Sequence, residues 1–289
     1  MRILLLGAHG QLGRSLAPRL AVHGELLAPP RAELELTDLP ALRQRLRALR
    51  PQLVVNAAAW TAVEQAEHEE AAAFAANAAA PGVLAEECAA LGAWLLHYST
   101  DYVFDGRLGR AYREDDACAP LNAYGRSKLA GERAVRAAGG RHLILRTSWL
   151  YSRHGHNFLL TMQRLLGERR EVRVVADQFG CPTSCASLAD ASAALVARIV
   201  AGTPGPAGLY HASCAGAASW YELAEAIAAD LRARGAPCAA VLPIAAADYP
   251  SAVHRPADSR LDCRALARDW GVRLPHWRTA LAACLAAPA

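Results

Sequence analysis

Aromatic side chains are scarce, at 6% of 289 residues, too few for a platform that stacks single-stranded nucleic acid. Neither sign of charge dominates: 31 Lys+Arg stand against 27 Asp+Glu, for a formal net charge of +4. That balance argues against a dedicated nucleic-acid partner. Arg43, Arg45, Arg47 and Arg50 alternate with leucines, as on a solvated helix face, and form no basic block. No apolar run approaches the ~20 residues that a membrane-spanning helix needs. The early run at 3–6 is far shorter, and no cleavage site of a secretory leader follows it. None of the eight cysteines (Cys88, Cys118, Cys181, Cys185, Cys214, Cys238, Cys263 and Cys284) is in a Cys-x-x-Cys pair. Without that spacing there is no signature of a zinc or redox motif, and a chain of this size does not need disulfides to hold its core. The expectation is a cytoplasmic protein with reduced thiols and no membrane partner.

What the chain does have is 53% hydrophobic and 20% charged residues, enough for one large domain or two unequal ones. Short apolar runs at 3–6, 26–28, 53–56, 94–98 and 143–146 predict strands. Amphipathic stretches at 11–22, 39–49, 69–91 and 123–138 predict the helices between them. The strand runs are continuously apolar, as in a parallel sheet covered on both faces. The fold class expected is therefore α/β, a doubly wound parallel sheet of the Rossmann type. Beyond residue 150 the pattern loosens, with Pro/Gly punctuation at 202–206, a strand at 208–211, and helices at 221–231, 263–270 and 277–285. This division predicts a dinucleotide-binding lobe over 1–147, to which 170–212 returns. Residues 148–169 and 213–289 then form a smaller substrate lobe.

Gly7-Ala8-His9-Gly10-Gln11-Leu12-Gly13 joins the first strand to the first helix. Glycines there permit a tight turn and a close backbone approach to a pyrophosphate, which the helix N-terminus attracts. The segment Ala28-Pro29-Pro30-Arg31 follows the second strand without an acidic residue to hold a free ribose 2′-hydroxyl. Arg31 either pairs with a 2′-phosphate, which favours NADP over NAD, or is a solvent-facing loop arginine.

Tyr124-Gly125-Arg126-Ser127-Lys128 opens a helix, and the i, i+4 spacing sets Lys128 one turn from Tyr124 on one face. An ammonium there stabilises a phenolate, so the spacing predicts a phenol whose pKa falls toward neutrality and which exchanges protons. Tyr-x-x-x-Lys is common by chance, but Ser99-Thr100-Asp101-Tyr102 follows the fourth strand at its carboxyl end, where such sheets bind ligands. The Thr100 hydroxyl would meet a substrate carbonyl beside Tyr124. His154 and His156 lack a third ligand at supporting spacing and are expected to be loop residues, Asp115-Asp116 a solvated turn, and Cys181 and Cys185 free thiols.

These stretches resemble the extended short-chain dehydrogenase/reductases that act on nucleotide sugars, and within them the dTDP-4-dehydrorhamnose reductase family. The likeness continues through Arg50-Pro51, Val54 to Ala59, Thr61 to Glu64, His97 to Gly106, Pro120 to Gly125, Ser127 to Glu132 and Arg146 to Tyr151. It also takes in Asn157-Phe158, Asp177 to Thr183, Arg255-Pro256 and Ser259 to Leu261, and so runs nearly end to end. The resemblance implies NADPH-dependent reduction of a 4-keto group on a dTDP-bound 6-deoxyhexose, with NADH as the alternative coenzyme. Implied catalytic residues are Thr100, Tyr124 and Lys128. Implied dinucleotide contacts are Gly7, Gly10, Gln11, Leu12, Gly13, Glu35, Leu36, Ala59, Trp60, Thr61, Tyr124 and Lys128, with Arg31 added from the strand end. Thr100, Asp101, Trp149, Asn157, Arg255 and Ser259 are the implied substrate contacts.

Three positions depart from the family pattern: Glu35 replaces the usual aspartate, and Trp60 replaces a Tyr or His. Gly13-Arg14-Ser15 lacks the acidic residue through which some members share Mg²⁺ between subunits. No metal is therefore expected, and the chain is expected to be a monomer or homodimer. Two rival readings remain: another nucleotide-sugar ketoreductase, dehydratase or epimerase on the same fold, and a non-catalytic, reductase-like regulatory subunit. Thr100-Asp101-Tyr102 lacks the Glu after Thr-Asp that resembles a dehydratase, and the intact Thr–Tyr–Lys set argues against a scaffold.

Overall fold

The computed structural model describes residues 1–287. Its first half alternates β1 (Arg2–Leu6), α1 (Gln11–Leu20), β2 (Glu25–Leu27), α2 (Leu39–Leu49), β3 (Leu53–Asn56), α3 (Val63–His68), α4 (Glu70–Phe74), α5 (Ala80–Leu91), β4 (Trp94–Thr100), α6 (Ala123–Ala137) and β5 (His142–Thr147). The second half continues with β6 (Leu150–Tyr151), α7 (Phe158–Glu168), β7 (Glu171–Val175), β8 (Phe179–Gly180), β9 (Thr183–Ser184), α8 (Cys185–Val200) and β10 (Gly208–His211). It ends with β11 (Ala218–Ser219), α9 (Trp220–Ala233), β12 (Ala240–Ile244), α10 (Arg264–Trp270) and α11 (Trp277–Ala286). Among the described residues no helix is long and apolar enough to cross a membrane.

Six strands form one parallel sheet in the order β10-β5-β4-β3-β1-β2. Alternate strand residues point to opposite faces, and both faces are covered. Ile3, Leu5, Val55, Leu96 and Leu145 pack toward Leu12 and Leu16 of α1 and Leu188 and Leu195 of α8. Leu4, Val54, Leu95 and Ile144 pack with Leu42 and Leu46 of α2, Leu84 of α5 and Val135 of α6. The strand order reverses between β1 and β3, so a crevice opens beyond their carboxyl ends, where this architecture binds ligands.

Residues 170–212 divide between the two regions. Helix α8 lies on the large sheet with α1, and β10 extends that sheet beside β5. Strand β7 instead pairs with β12 in a separate two-stranded sheet. Two further pairs are β6 with β9 and β8 with β11.

The continuous helix expected over 69–91 is broken in the structure. Between α4 and α5 the chain makes a π-helical turn, Ala75–Ala79. Pro81 at the start of α5 has no N–H for the helical ladder, so the backbone can widen just before it. The site is also crowded, because a Cβ on Gly131 of α6 would stand 2.0 Å from the Asn77 carbonyl oxygen. Gly131→Ala should therefore destabilise the protein by about 1–3 kcal/mol, the usual cost of overpacking. Gly82→Ala, whose Cβ would meet only the Ala134 methyl at 3.2 Å, should cost much less. Urea denaturation checks the pair, and equal midpoints for the two variants would contradict this packing.

Candidate active site

A cleft of about 1060 Å³ runs along the carboxyl ends of β1, β3, β4 and β5. At one end lies the glycine loop. Gly7 has φ +78°, and a Cβ there would strike the Ala57–Ala58 backbone at 2.6–2.9 Å. A Cβ on Gly13 would stand 2.0 Å from the Gly7 carbonyl oxygen, so only glycine lets α1 begin this close to the turn. Side chains of Asp38, Asn122, Asn157, Ser184 and Ser219 cap α2, α6, α7, α8 and α9, whereas no side chain caps α1 at Gly10. Its first-turn N–H groups are left for an anion. A second unmet group, the buried Thr147 hydroxyl, has no partner and belongs to the cleft wall. Uncapped amides, a glycine cradle and an unmet hydroxyl are what an extended dinucleotide needs, and the residues present fit one.

Most expected cofactor residues line this cleft: Gly7, Gly10, Gln11, Leu12, Arg31, Glu35, Leu36, Ala59, Trp60 and Thr61. Gly13 lies beneath the loop and not on the wall. No acidic residue stands at the end of β2 itself, and the carboxylate at this end of the cleft is that of Glu35, one of the expected contacts. The chain after β2 folds back, so the Glu35 carboxylate accepts hydrogen bonds from Arg31 Nε at 2.5 Å and from the Thr37 backbone and hydroxyl. The Arg31 guanidinium holds that carboxyl below its usual range. Both side chains are well exposed (85% and 36%), so the ion pair is weak and Arg31 can leave it for a phosphate.

Thr100, Asp101, Tyr124, Lys128 and Trp149 form the other end of the cleft. Asn122 caps α6 through the Gly125 N–H at 2.8 Å and so sets Tyr124 in its first turn. Tyr124 is edge-on to Tyr102, with ring centroids 5.9 Å apart. Burial pushes its phenol up to about 12, while a hydrogen bond with the Thr100 hydroxyl works the other way. Lys128 donates from Nζ to the Tyr98 carbonyl oxygen at 2.6 Å, and burial lowers its ammonium to about 8. The structure thus reverses the expected proton balance. Partial burial keeps the phenol of Tyr124 protonated at neutral pH in the free protein, while the Lys128 ammonium is engaged by the Tyr98 carbonyl.

Asp101 also differs from a simple substrate contact. Its carboxylate accepts hydrogen bonds from the hydroxyls of Thr100 (3.1 Å), Ser148 (3.0 Å) and Ser259 (2.5 Å). Burial nevertheless raises its carboxyl to about 6. Ser259 therefore reaches the site through Asp101. Arg255 lies outside the cleft wall, pairing with Glu64 and donating to Ser251 at 2.7 Å. Asn157 caps α7 and donates to Gln11 Oε1 at 2.8 Å, also off the wall.

Sequence reasoning missed several supporting groups. Asn77, in the π-helical turn, receives the Trp60 N–H and donates to the Trp60 carbonyl and the Ser127 hydroxyl. It fixes the loop of Ala59, Trp60 and Thr61 against α6, and its only sequence signal is a lone amide in an alanine run. Asn56, at the end of β3, contacts the ring of His97 at 3.1 Å and accepts from the Ala58 N–H. Ser148, next to Trp149, is legible only as a hydroxyl at a strand's carboxyl end. No three acidic, histidine or cysteine side chains gather to hold a metal among the described residues. The eight thiols are unpaired, and Asp116 is bound by Arg110.

The family model for the RmlD substrate binding domain matches residues 1–289. The chain is 44% identical to a dTDP-4-dehydrorhamnose reductase of Burkholderia thailandensis, covering 99% of this chain and 98% of that protein. It is 40% identical to a dTDP-4-dehydrorhamnose reductase of Escherichia coli K12, over 96% and 95% of the two chains. A dTDP-4-dehydrorhamnose reductase of Bacillus anthracis, solved in complex with NADP, superposes with a TM-score of 0.90 at 34% identity, covering 98% of each chain. With its glycine cradle, its Thr–Tyr–Lys end and a match across its whole length, this chain belongs to the RmlD family, that of the dTDP-4-dehydrorhamnose reductases.

Proposed function

We propose that this protein reduces the 4-keto group of dTDP-4-dehydro-L-rhamnose to give dTDP-L-rhamnose. The observation that carries this reading is one continuous cleft, with the glycine cradle at one end and Thr100, Tyr124 and Lys128 at the other. NADPH, when bound, supplies the hydride. Gly7, Gly10, Gln11 and Leu12 would hold its pyrophosphate, Arg31 and Glu35 the adenosine ribose, and Lys128 the nicotinamide ribose. The chain's own chemistry is positioning and proton transfer. Tyr124 holds a proton that burial keeps in place until the carbonyl oxygen becomes an alkoxide, a stronger base than any phenolate. The proton then passes from the Tyr124 oxygen to that alkoxide. The Thr100 hydroxyl, which donates to Asp101 in the free protein, would turn to donate to the carbonyl oxygen and orient it, and Trp149 walls the sugar. Tyr102, a half-buried tyrosine, stands where a dehydratase would need a carboxylic acid, which supports reduction over elimination. Eight unpaired thiols support a cytoplasmic setting. We take a monomer or homodimer as the working assembly.

Purified protein with the 4-keto nucleotide sugar should oxidise NADPH, and Tyr124→Phe should lower kcat by about 10²–10⁴-fold, the scale of a lost general acid. A folded wild-type protein without turnover would overturn the reading. The ribose end gives a second expectation. Glu35→Gln frees Arg31 and should lower the KM for NADPH relative to NADH by about threefold to tenfold, while Arg31→Ala should shift preference toward NADH. A coenzyme preference unchanged in both variants would show that this pair does not meet the ribose.

A further inference from the structure

Trp149 combines two unusual features. Its backbone has φ +48°, in the left-handed region that a bulky side chain rarely adopts. Such a conformation persists only where the surroundings impose it. Its ring also lies directly against backbone, because a Cβ on Gly180 would meet the indole at 2.4–2.8 Å. The indole is further stacked on Trp220, with ring centroids 3.4 Å apart and planes 5° from parallel.

The fold brings these three residues together. Strand β11 pairs antiparallel with β8, with Ala218 opposite Gly180 and Ser219 opposite Phe179. Trp220 is the next residue, so the register carries its ring to the indole that covers Gly180. A capping box between Ser219 and Glu222 fixes the helix that begins at Trp220. Phe158, the first residue of α7, tilts against Trp220 at 4.7 Å. Asn157 just before it is bonded to Gln11 of the glycine loop. A continuous set of contacts thus runs from the phosphate cradle through Gln11, Asn157, Phe158 and Trp220 to Trp149. Trp149 alone of the two tryptophans lines the cleft.

We propose that Trp220 is a positioning residue for the sugar nucleotide, a buttress that holds the Trp149 indole as the fixed wall of the sugar end. The claim rests on the reductase reading for the identity of the sugar nucleotide, but the buttress itself does not. Remove the stack, and Trp149 can relax from its left-handed backbone and rotate away from Gly180. The loss falls on substrate binding, since Trp220 touches neither Tyr124 nor the glycine loop.

The test uses Trp220→Leu, which removes the stack and keeps apolar volume, and Trp220→Phe, which keeps a ring that can stack. Expected for Trp220→Leu are a KM for the 4-keto nucleotide sugar and a Kd for dTDP-L-rhamnose each raised about fivefold to tenfold, with the Kd for dTDP, which carries no sugar, within about twofold of wild type. The same variant should keep kcat and the Kd for NADPH within about twofold, and should weaken the far-UV circular-dichroism couplet of stacked indoles. Trp220→Phe should recover most of the substrate affinity. A Trp220→Leu protein with unchanged KM and dTDP-L-rhamnose affinity overturns the proposal. So does one whose NADPH affinity falls in step, since that marks a general packing role. If Trp220→Leu does not fold, Trp220→Met, which also removes the stack, decides: a dTDP-L-rhamnose Kd raised about threefold or more supports the buttress, and an unchanged one overturns it. Wild-type protein that binds dTDP-L-rhamnose but does not turn over the 4-keto sugar would sink the reductase reading, while dTDP-L-rhamnose affinity still decides the buttress.

Discussion

The structure depends on the burial of one end of α6 against the carboxyl ends of β4 and β5. That contact buries an ammonium and half-buries a phenol at the place where the sheet binds ligands. It is held by polar bonds that a dry interface makes costly to break. Glu132 of α6 and Arg146 of β5 form an ion pair at 2.7 Å with both side chains under 5% exposed. Ser99 of β4 donates to the same carboxylate at 2.5 Å. Removing one partner of such a pair would leave a buried charge uncompensated, at a cost of about 3–5 kcal/mol. On the opposite flank, Asn77 and Ser127 tie α6 to the π-helical turn.

Residues far apart in the chain meet through side chains that also serve the cleft. Asp101, at the end of β4, gathers hydroxyls from Thr100, from Ser148 after β5 and from Ser259 far along the chain. Gln11, the first residue of α1, is held by Asn157 and Ser152. The phosphate cradle and the sugar end are therefore aligned by direct bonds, and their spacing is set before any ligand arrives. A preorganised cleft of this kind lets the chain spend binding energy on alignment of the reacting atoms.

Much of this was legible in the sequence, for physical reasons. Gly7 and Gly13 could be read because no other residue fits their contacts, and continuous apolar strands reveal a sheet covered on both faces. The i, i+4 spacing placed Tyr124 and Lys128 on one helical turn. The proton balance of that pair was not legible, because spacing does not report dehydration. The break at Asn77 was hidden by alanines whose helix propensity is uniform. The pairing of Arg31 with Glu35 required a loop to fold back on itself. Strands of two residues, such as β8 and β11, carry no periodicity, so the meeting of Trp149, Gly180 and Trp220 had no signature in the chain.

Partial burial at the cleft wall holds the proton on Tyr124 in the free protein. A pH titration of the free protein, labelled with ¹³C at the tyrosine ring carbon bearing oxygen and assigned with Tyr124→Phe, reads that proton. The Tyr124 resonance should stay that of a neutral phenol from pH 6 to beyond pH 10, in keeping with a phenol pushed up to about 12. A phenolate forming near pH 7–8 in the free protein would overturn this assignment.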